Sequence, residues 1–259
     1  GGLNGHASPA SSHEENAVKL VTWNCQGAFR KKYPLIASQS PDLAVIQECE
    51  NPERIPWKQG NPPTAALWFG DKPTRGLGVF SWTDLEFEAL PGYDETIQFV
   101  APIRVTAPFQ FNLVAVWSKD HANSKLAYSA QIYQAIAAYR EFILEADTLF
   151  LGDFNSSRRS TPRSRIGNHT TLTISLADLG MISAYHYRYQ EKQGKETRGT
   201  FFRGRKTLKP AHIDYAWIPT RWLRRLKAVE VGDPADWLEH SDHCPLFVEF
   251  IPKDSHHMV

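Results

Sequence analysis

No apolar run in this chain is long enough to span a bilayer, and no charged start leads through an apolar stretch to a small-residue cleavage site. Membrane insertion and secretion are therefore not expected. Cysteine is scarce: Cys25, Cys49 and Cys244 are the only three. An odd count without a secretion signal argues for reduced thiols and a cytoplasmic location. No pair has the C-x-x-C spacing of a zinc site, so the thiols are expected to be small buried hydrophobes. Internal repeats and linker-like shifts in composition are also missing. With no basic amphipathic helix, a membrane surface is a poor partner.

What is present suits a globular protein. The chain has 259 residues, 42% of them hydrophobic, 12% aromatic and 22% charged, enough for one large core. One domain is expected over residues 17–252, between polar, disordered tails at 1–16 and 253–259.

The net charge of +1 hides an asymmetry. Ser156 to Lys227 holds 16 Lys plus Arg against 4 Asp plus Glu, which leaves −11 for the remainder of the chain. A basic surface from one stretch suits a polyanionic ligand.

Pattern and punctuation predict strands at Val18–Asn24, Leu43–Gln47, Ala65–Phe69, Gly76–Trp82, Thr96–Val100, Phe109–Trp117, Thr148–Gly152, Thr200–Phe202, Ile213–Ile218, Ala228–Val231 and Cys244–Ile251. Helices are expected over Phe29–Gln39, Ser124–Glu145 and Asn168–Leu179. In the longest, Ile132, Ile136, Tyr139 and Ile143 make one apolar face. Four prolines make 51–63 a loop. Two strand-rich blocks with helices suggest two sheets face to face.

Polar residues recur where buried strands end: Asn24, Glu48, Asp153 with Asn155, Asp214, and Asp242 with His243 just before the last strand. Strand ends hold groups rigidly beside a cleft. Alternation turns Cys25, Cys49 and Cys244 to the opposite face from their polar neighbours. Carboxylates with Asn are hard oxygen donors, suited to Mg2+ or Mn2+ and not to zinc. One His in an acidic site suits phosphate chemistry, with Asp214 raising and orienting His243. Asp153 is then placed to orient or deprotonate a water.

Thr22-Trp23-Asn24, Gln47-Glu48, Gly152-Asp153-Phe154-Asn155, Ile213-Asp214-Tyr215 and Ser241-Asp242-His243-Cys244-Pro245-Leu246 stand in order. In this the chain resembles the endonuclease/exonuclease/phosphatase superfamily, from about Val18 to Ile251. The resemblance implies an α+β fold, a four-layer α/β/β/α sandwich with the site at one edge. It makes Glu48 the main metal ligand, assisted by Asn24 and Asp242. It also implies that Asp153 serves the attacking water, Asn155 the water or a phosphoryl oxygen, and the His243–Asp214 pair the transition state.

Two positions depart from the pattern. Trp117 stands where the family strand usually supplies a His or Tyr to the phosphate, so either His121 or Tyr128 takes that role or the site works without it, with Trp117 as a wall of the site or as plain core. His212 stands where nucleases often have Arg. The expected activity is Mg2+- or Mn2+-dependent hydrolysis of nucleic acid, DNA favoured, with Arg158, Arg159, Arg163, Arg165, Arg203 and Arg205 along the flanking phosphates. Lys206 and Lys209 extend the second cluster, and Phe201, Phe202 and Trp222 could stack on bases. The alternatives are a phosphatase or phosphodiesterase for phosphoinositides, sphingolipids or other small phosphoesters, and a silent binding module. No obligate protein partner is evident.

Overall fold

The computed structural model describes residues 17–57, 62–159 and 166–252. The two expected tails, and Arg163 and Arg165 of the basic loop, lie outside the described residues. The strands are β1 (Val18–Asn24), β2 (Leu43–Cys49), β3 (Ala65–Lys72), β4 (Arg75–Ser81), β5 (Glu86–Ala89), β6 (Val100–Ala107), β7 (Phe111–Trp117), β8 (Thr148–Asp153), β9 (Met181–Ser183), β10 (Asp214–Pro219), β11 (Leu226–Val231) and β12 (Leu246–Phe250). The helices are α1 (Phe29–Ala37), α2 (Ser129–Ala138), α3 (Arg140–Glu145), α4 (His169–Asp178), α5 (Ala184–Tyr189) and α6 (Pro234–Trp237).

Two six-stranded sheets form, in the orders β11-β12-β1-β2-β4-β3 and β5-β6-β7-β8-β10-β9. Each has one parallel pair, β1/β2 and β7/β8, among antiparallel neighbours. Between the sheets lie Leu20, Val45 and Val79 from one and Leu113, Ala115, Leu149 and Leu151 from the other. Val21, Trp23, Ala44 and Ile46 point outward and are covered by Phe29, Tyr33 and Ile36 of α1. On the opposite outer face, Val114, Val116 and Phe150 meet Ile132, Ile136, Leu172 and Leu176 of α2 and α4. These are the four layers expected for an α+β sandwich.

The period-two rows place the site. Leu20 and Thr22 lead to Asn24, Leu149 and Leu151 to Asp153, and Ile218 and Ala216 back to Asp214. Each polar residue thus continues an inward-facing row. The two sheets stop at the same edge, and there the row of apolar side chains gives way to acids and amides.

Several expected elements differ. The helix over Ser124–Glu145 is broken at Tyr139 (φ −106°, ψ 22°), whose hydroxyl accepts the Asp94 N–H at 3.0 Å. Its apolar face is nevertheless buried as expected. The strand placed at Thr96–Val100 begins only at Val100 and runs to Ala107. Thr200–Phe202 forms no strand, and Phe201 makes isolated bridges to Ala211 and His243. The short edge elements β5, β9 and α5 were not foreseen. They have few residues and little periodicity, and they owe their form to neighbours.

Candidate active site

The C-terminal ends of β1, β2 and β8, the start of β10 and the turn before β12 meet at one edge. Asn24 is the link. Its Nδ2 donates to Glu48 Oε1 at 3.2 Å and to Asp153 Oδ2 at 3.0 Å, while its Oδ1 accepts the Gln26 N–H at 3.0 Å. Asn24 therefore bridges the two carboxylates in this arrangement, instead of presenting a free ligand oxygen.

Glu48 owes its direction to a bulge. Gln47 pairs with Leu77 and Cys49 with Gly76, which leaves Glu48 as the extra residue, with φ 61°. A non-glycine residue in the left-handed region costs free energy and tends to cluster at working sites. The bulge lets Gln47 stay inside, where its amide bonds Thr22 Oγ1 at 2.9 Å and the Val116 carbonyl at 3.1 Å across the sheets. Glu48 is thereby turned into the cleft, only partly buried, where the Arg75 guanidinium meets it. Asn155 also sits at positive φ, 44°.

Asp153 is fully buried. Its Oδ1 accepts the Asn155 N–H at 2.8 Å, and its Oδ2 lies 3.3 Å from Asn155 Nδ2. The turn is held by Asn155 Nδ2 donating to the Ser118 carbonyl at 2.8 Å. Gly152 precedes it because a Cβ there would lie 1.9 Å from the Val116 carbonyl oxygen; only glycine allows β7 this close.

His243 lies between two carboxylates. Its Nδ1 is 2.9 Å from Asp214 Oδ2, and its Nε2 is 3.9 Å from Asp153 Oδ2. Ser241 positions the turn: its hydroxyl donates to the Asn24 carbonyl at 2.6 Å and accepts the His243 N–H at 3.0 Å. Thr200 Oγ1 accepts the Ile213 and Asp214 N–H groups at 3.0 and 3.1 Å. Burial alone would lower the imidazole pKa, but the Asp214 and Asp153 charges outweigh it and raise it to about 10. Burial and the Asp214 charge push Asp153 above the usual carboxylate range. A protonated His243 with its Nε2–H directed into the site is the expected state.

Asp153, Asp214 and His243 could each turn a donor atom to one metal ion, since these atoms lie within 4.8 Å of one another. Their chemistry argues otherwise. The Asp214–His243 hydrogen bond uses one of those atoms on each side, and a protonated imidazole cannot ligate. The open end fits a cation better. Burial and the nearby Glu48 charge raise Asp242, and Arg75 already offers Glu48 a positive partner. Two mutually repelling carboxylates at a partly open edge match the hard oxygen donors that Mg2+ takes, with water and phosphate completing the shell.

The other expected contacts divide. Arg158, Arg159 and Arg203 are exposed; Arg158 lies against Gly194, and Arg159 Nε donates to the Gly194 carbonyl at 2.9 Å. Arg205 is committed to Gln26 Oε1, at 3.0 and 2.8 Å, and to the Glu239 carbonyl at 2.6 Å. Gln26 Oε1 also accepts the Asp242 N–H at 3.1 Å, so Arg205 staples the open end.

Trp117 is 4% exposed and stacks on Phe99, and His212 is 3% exposed among Tyr185, His186 and Tyr215. Both rings pack against aromatic neighbours, and His212 Nδ1 also meets the Arg198 carbonyl oxygen at 2.9 Å. His121 spends Nδ1 on the Asn123 N–H at 2.9 Å, and Tyr128 is exposed at 37%. Phe202 and Trp222 are core residues. The three thiols are buried and unpaired. The basic stretch is also divided in space. Arg221 and Arg225 pair with Asp147, before the start of β8 and so at its far end from the site.

A family model, described as Endonuclease/Exonuclease/phosphatase family, matches residues 21–243. The chain belongs to this family. No curated protein matches the sequence. Among solved structures, a 3′ phosphatase from Neisseria bound to product DNA hairpin shares 23% identity at a TM-score of 0.65, covering 90% of this chain and 99% of its own. An AP endonuclease from Archaeoglobus fulgidus gives 17% and 0.63, covering 90% and 99%. The endonuclease domain of TRAS1, a telomere-specific non-LTR retrotransposon, gives 16% and 0.63, covering 92% and 100%. At these identities the likeness is one of fold. Membership makes the chain a phosphoesterase by family; no helix among its described residues is long and apolar enough to cross a membrane.

Some family-site features were missed from sequence. Gln26, Ser241 and Thr200 act through hydrogen bonds to residues distant along the chain, which no local spacing announces. Arg75 could not be placed beside Glu48 before β2 and β4 were known to pair. Ser241 had one signal, its place beside Asp242 and His243.

Proposed function

We propose that this chain is a divalent-metal-dependent phosphodiesterase, a nuclease that cleaves DNA by in-line attack of water. One observation carries the reading: a buried Asp214–His243–Asp153 line lies beside a partly open Glu48–Asp242 pair, with Asn24 joining the two ends. Glu48 and Asp242 would hold Mg2+ or Mn2+, with Asn24 behind them. When bound, the ion supplies charge neutralisation and polarisation of the phosphoryl group.

The side chains supply the rest. Asp153, fixed by Asn24 and Asn155, orients the attacking water and takes its proton; its raised proton affinity suits a base near neutrality. His243, charged and steadied by Asp214, donates from Nε2 to a phosphoryl oxygen as negative charge builds there. Arg158, Arg159 and Arg203, with Arg163 close by in sequence, would follow the flanking phosphates. DNA is favoured because the Neisseria protein of this fold is bound to product DNA hairpin. A cytoplasmic location is in keeping with the unpaired thiols.

The division of the basic stretch keeps a second reading in play, a phosphatase or phosphodiesterase for phosphoinositides, sphingolipids or other small phosphoesters, since fewer cations surround the site than the sequence count suggests. Incubation with Mg2+ or Mn2+ and single-stranded, duplex, abasic and 3′-phosphate DNA, RNA, an inositol polyphosphate and a lipid phosphodiester separates them. Cleavage of nucleic acid by wild type and not by Glu48→Gln supports the nuclease. Turnover of only the small or lipid substrates supports the second reading, and equal cleavage by both proteins sinks the site assignment.

A further inference from the structure

Lys119 stands where β7 leaves its sheet. Trp117 pairs in register with Asp153, and the Ser118 N–H donates to the Asp153 carbonyl at 2.9 Å. The Ser118 carbonyl in turn accepts Asn155 Nδ2. The next residue along the chain therefore emerges beside Asp153 and Asn155. Its backbone is pinned on both sides: the Lys119 N–H donates to Gln131 Oε1 at 3.2 Å, and its carbonyl accepts the Tyr128 N–H at 2.9 Å.

The side chain is held as well. Phe99 and Trp117 stack with centroids 5.4 Å apart and planes 10° from parallel. Lys119 Nζ lies 4.8 Å from the Phe99 centroid and 5.2 Å from that of Trp117. Arg75 approaches the Trp117 ring at 5.8 Å. The aromatic pair is buried and cannot stack on a base; its electron-rich surface is used to seat cations. Arg75 has Glu48 as its anion, and His243 has Asp214. Among the described residues, no carboxylate pairs with Lys119. The residue is partly buried, its ammonium rests on an aromatic shelf, and among the described residues no acceptor takes a hydrogen bond from it.

We propose that Lys119 is a catalytic residue of this site, its ammonium binding a non-bridging oxygen of the scissile phosphate beside Asp153 and Asn155. Trp117 is its positioning residue. The assignment rests on the phosphoesterase reading given above. It gives the buried Trp117 a reason for standing next to the site, and it supplies positive charge where Asp153 and Asp214 would otherwise repel an incoming phosphate.

The test compares wild type, Lys119→Met, Lys119→Arg and the neighbouring exposed Lys125→Met on duplex DNA and on bis(4-nitrophenyl) phosphate with Mg2+. Loss of one transition-state donor typically costs about 10²- to 10³-fold in rate. Lys119→Met should therefore lower kcat by about 100-fold on both substrates. Lys119→Arg should keep most of the rate, and Lys125→Met should match wild type. An unchanged kcat in a folded Lys119→Met, or a rise in KM alone, overturns the assignment; if that variant does not fold, the comparison of Lys119→Arg with wild type decides it, full loss of rate being the overturning result. If wild type does not exceed the Glu48→Gln background on either substrate, the phosphoesterase reading falls separately. Calorimetric titration with inorganic phosphate then decides Lys119 alone: binding about tenfold weaker in Lys119→Met upholds it, and equal binding rejects it.

Discussion

Each sheet has one parallel strand pair, and both pairs point their C-terminal ends at the same edge, yet they deliver opposite environments. In β7/β8 the regular pleat continues to Asp153, which is buried beside Asp214 and His243. In β1/β2 a bulge turns Glu48 out of the pleat into a half-open cleft, within reach of Arg75. The dry end raises Asp153 and keeps His243 charged, which fits the proton handling proposed for it. The wet end leaves two carboxylates that solvent or a cation must satisfy. Access to water, more than residue type, separates the roles.

The strongest way to break this comparison is to remove one acid from each end. Glu48→Gln and Asp153→Asn should each reduce hydrolysis by roughly 10³-fold or more, measured at saturating substrate. They should part in a second measurement, because Mg2+ should raise the unfolding temperature of Asp153→Asn and fail to do so for Glu48→Gln. Equal stabilisation of both variants would place the ion elsewhere.

Next in size, His243→Ala should lower kcat by about 10²- to 10⁴-fold, and Asp214→Asn should lose rate with little change in KM. A loss confined to KM would make this pair a binding feature. Gly152→Ala should destabilise the fold by about 1–3 kcal/mol, read by denaturant unfolding, because its Cβ would strike the Val116 carbonyl. An unchanged midpoint would mean that β7 and β8 can separate at the site.

A smaller effect comes from acid. Burial pushes His212 down to about 4. Burial would raise Glu196, but hydrogen bonds from His186 and the Gly194 N–H outweigh it and bring the carboxyl to about 2. The unfolded chain binds the His212 proton more readily, so its contribution is whole above about pH 6.5 and declines toward pH 4. The Glu196 contribution is present above about pH 4.5 and declines toward pH 2. His212→Gln should therefore flatten the loss of stability between pH 6.5 and 4, followed by chemical denaturation at each pH.

The smallest effect tests the divided basic stretch. Arg158→Ala should weaken DNA binding and reduce the salt slope by about 1. Arg221→Ala, at the far edge, should leave binding unchanged and cost under about 1 kcal/mol of stability. Equal losses of affinity would put both ends of the sheet on the ligand.

Much of this was legible before any coordinates. The rows ending in Asn24, Asp153 and Asp214 are read from period-two alternation, which is local and robust. Cys25 follows from the same rule, whereas Cys49, beyond the Glu48 bulge, and Cys244, ahead of β12, reach the outer layer where the regular pleat is interrupted. The ligand surface was not legible, because a count of Lys and Arg along the chain cannot distinguish Arg158, which is exposed, from Arg205, which holds Gln26, or from Arg225, which holds Asp147. Trp117 and His212 stayed open between contact and packing for a related reason, and the fold sets both rings among aromatic neighbours. Adjacency in sequence to a strand end says that a residue is near the site, and only packing says which way its ring faces.

The sequence by itself determined the motif order, the buried strands and the chemical character of the donors, since these depend on neighbours one or two residues away. Only the tertiary structure decided that Glu48 leaves the pleat, that Asn24 joins the two ends, that Arg75 meets Glu48 and that Lys119 rests on Phe99 and Trp117. Those outcomes depend on strand pairing and sheet packing across dozens of residues, where burial and solvent access are set by the whole fold and not by any local pattern.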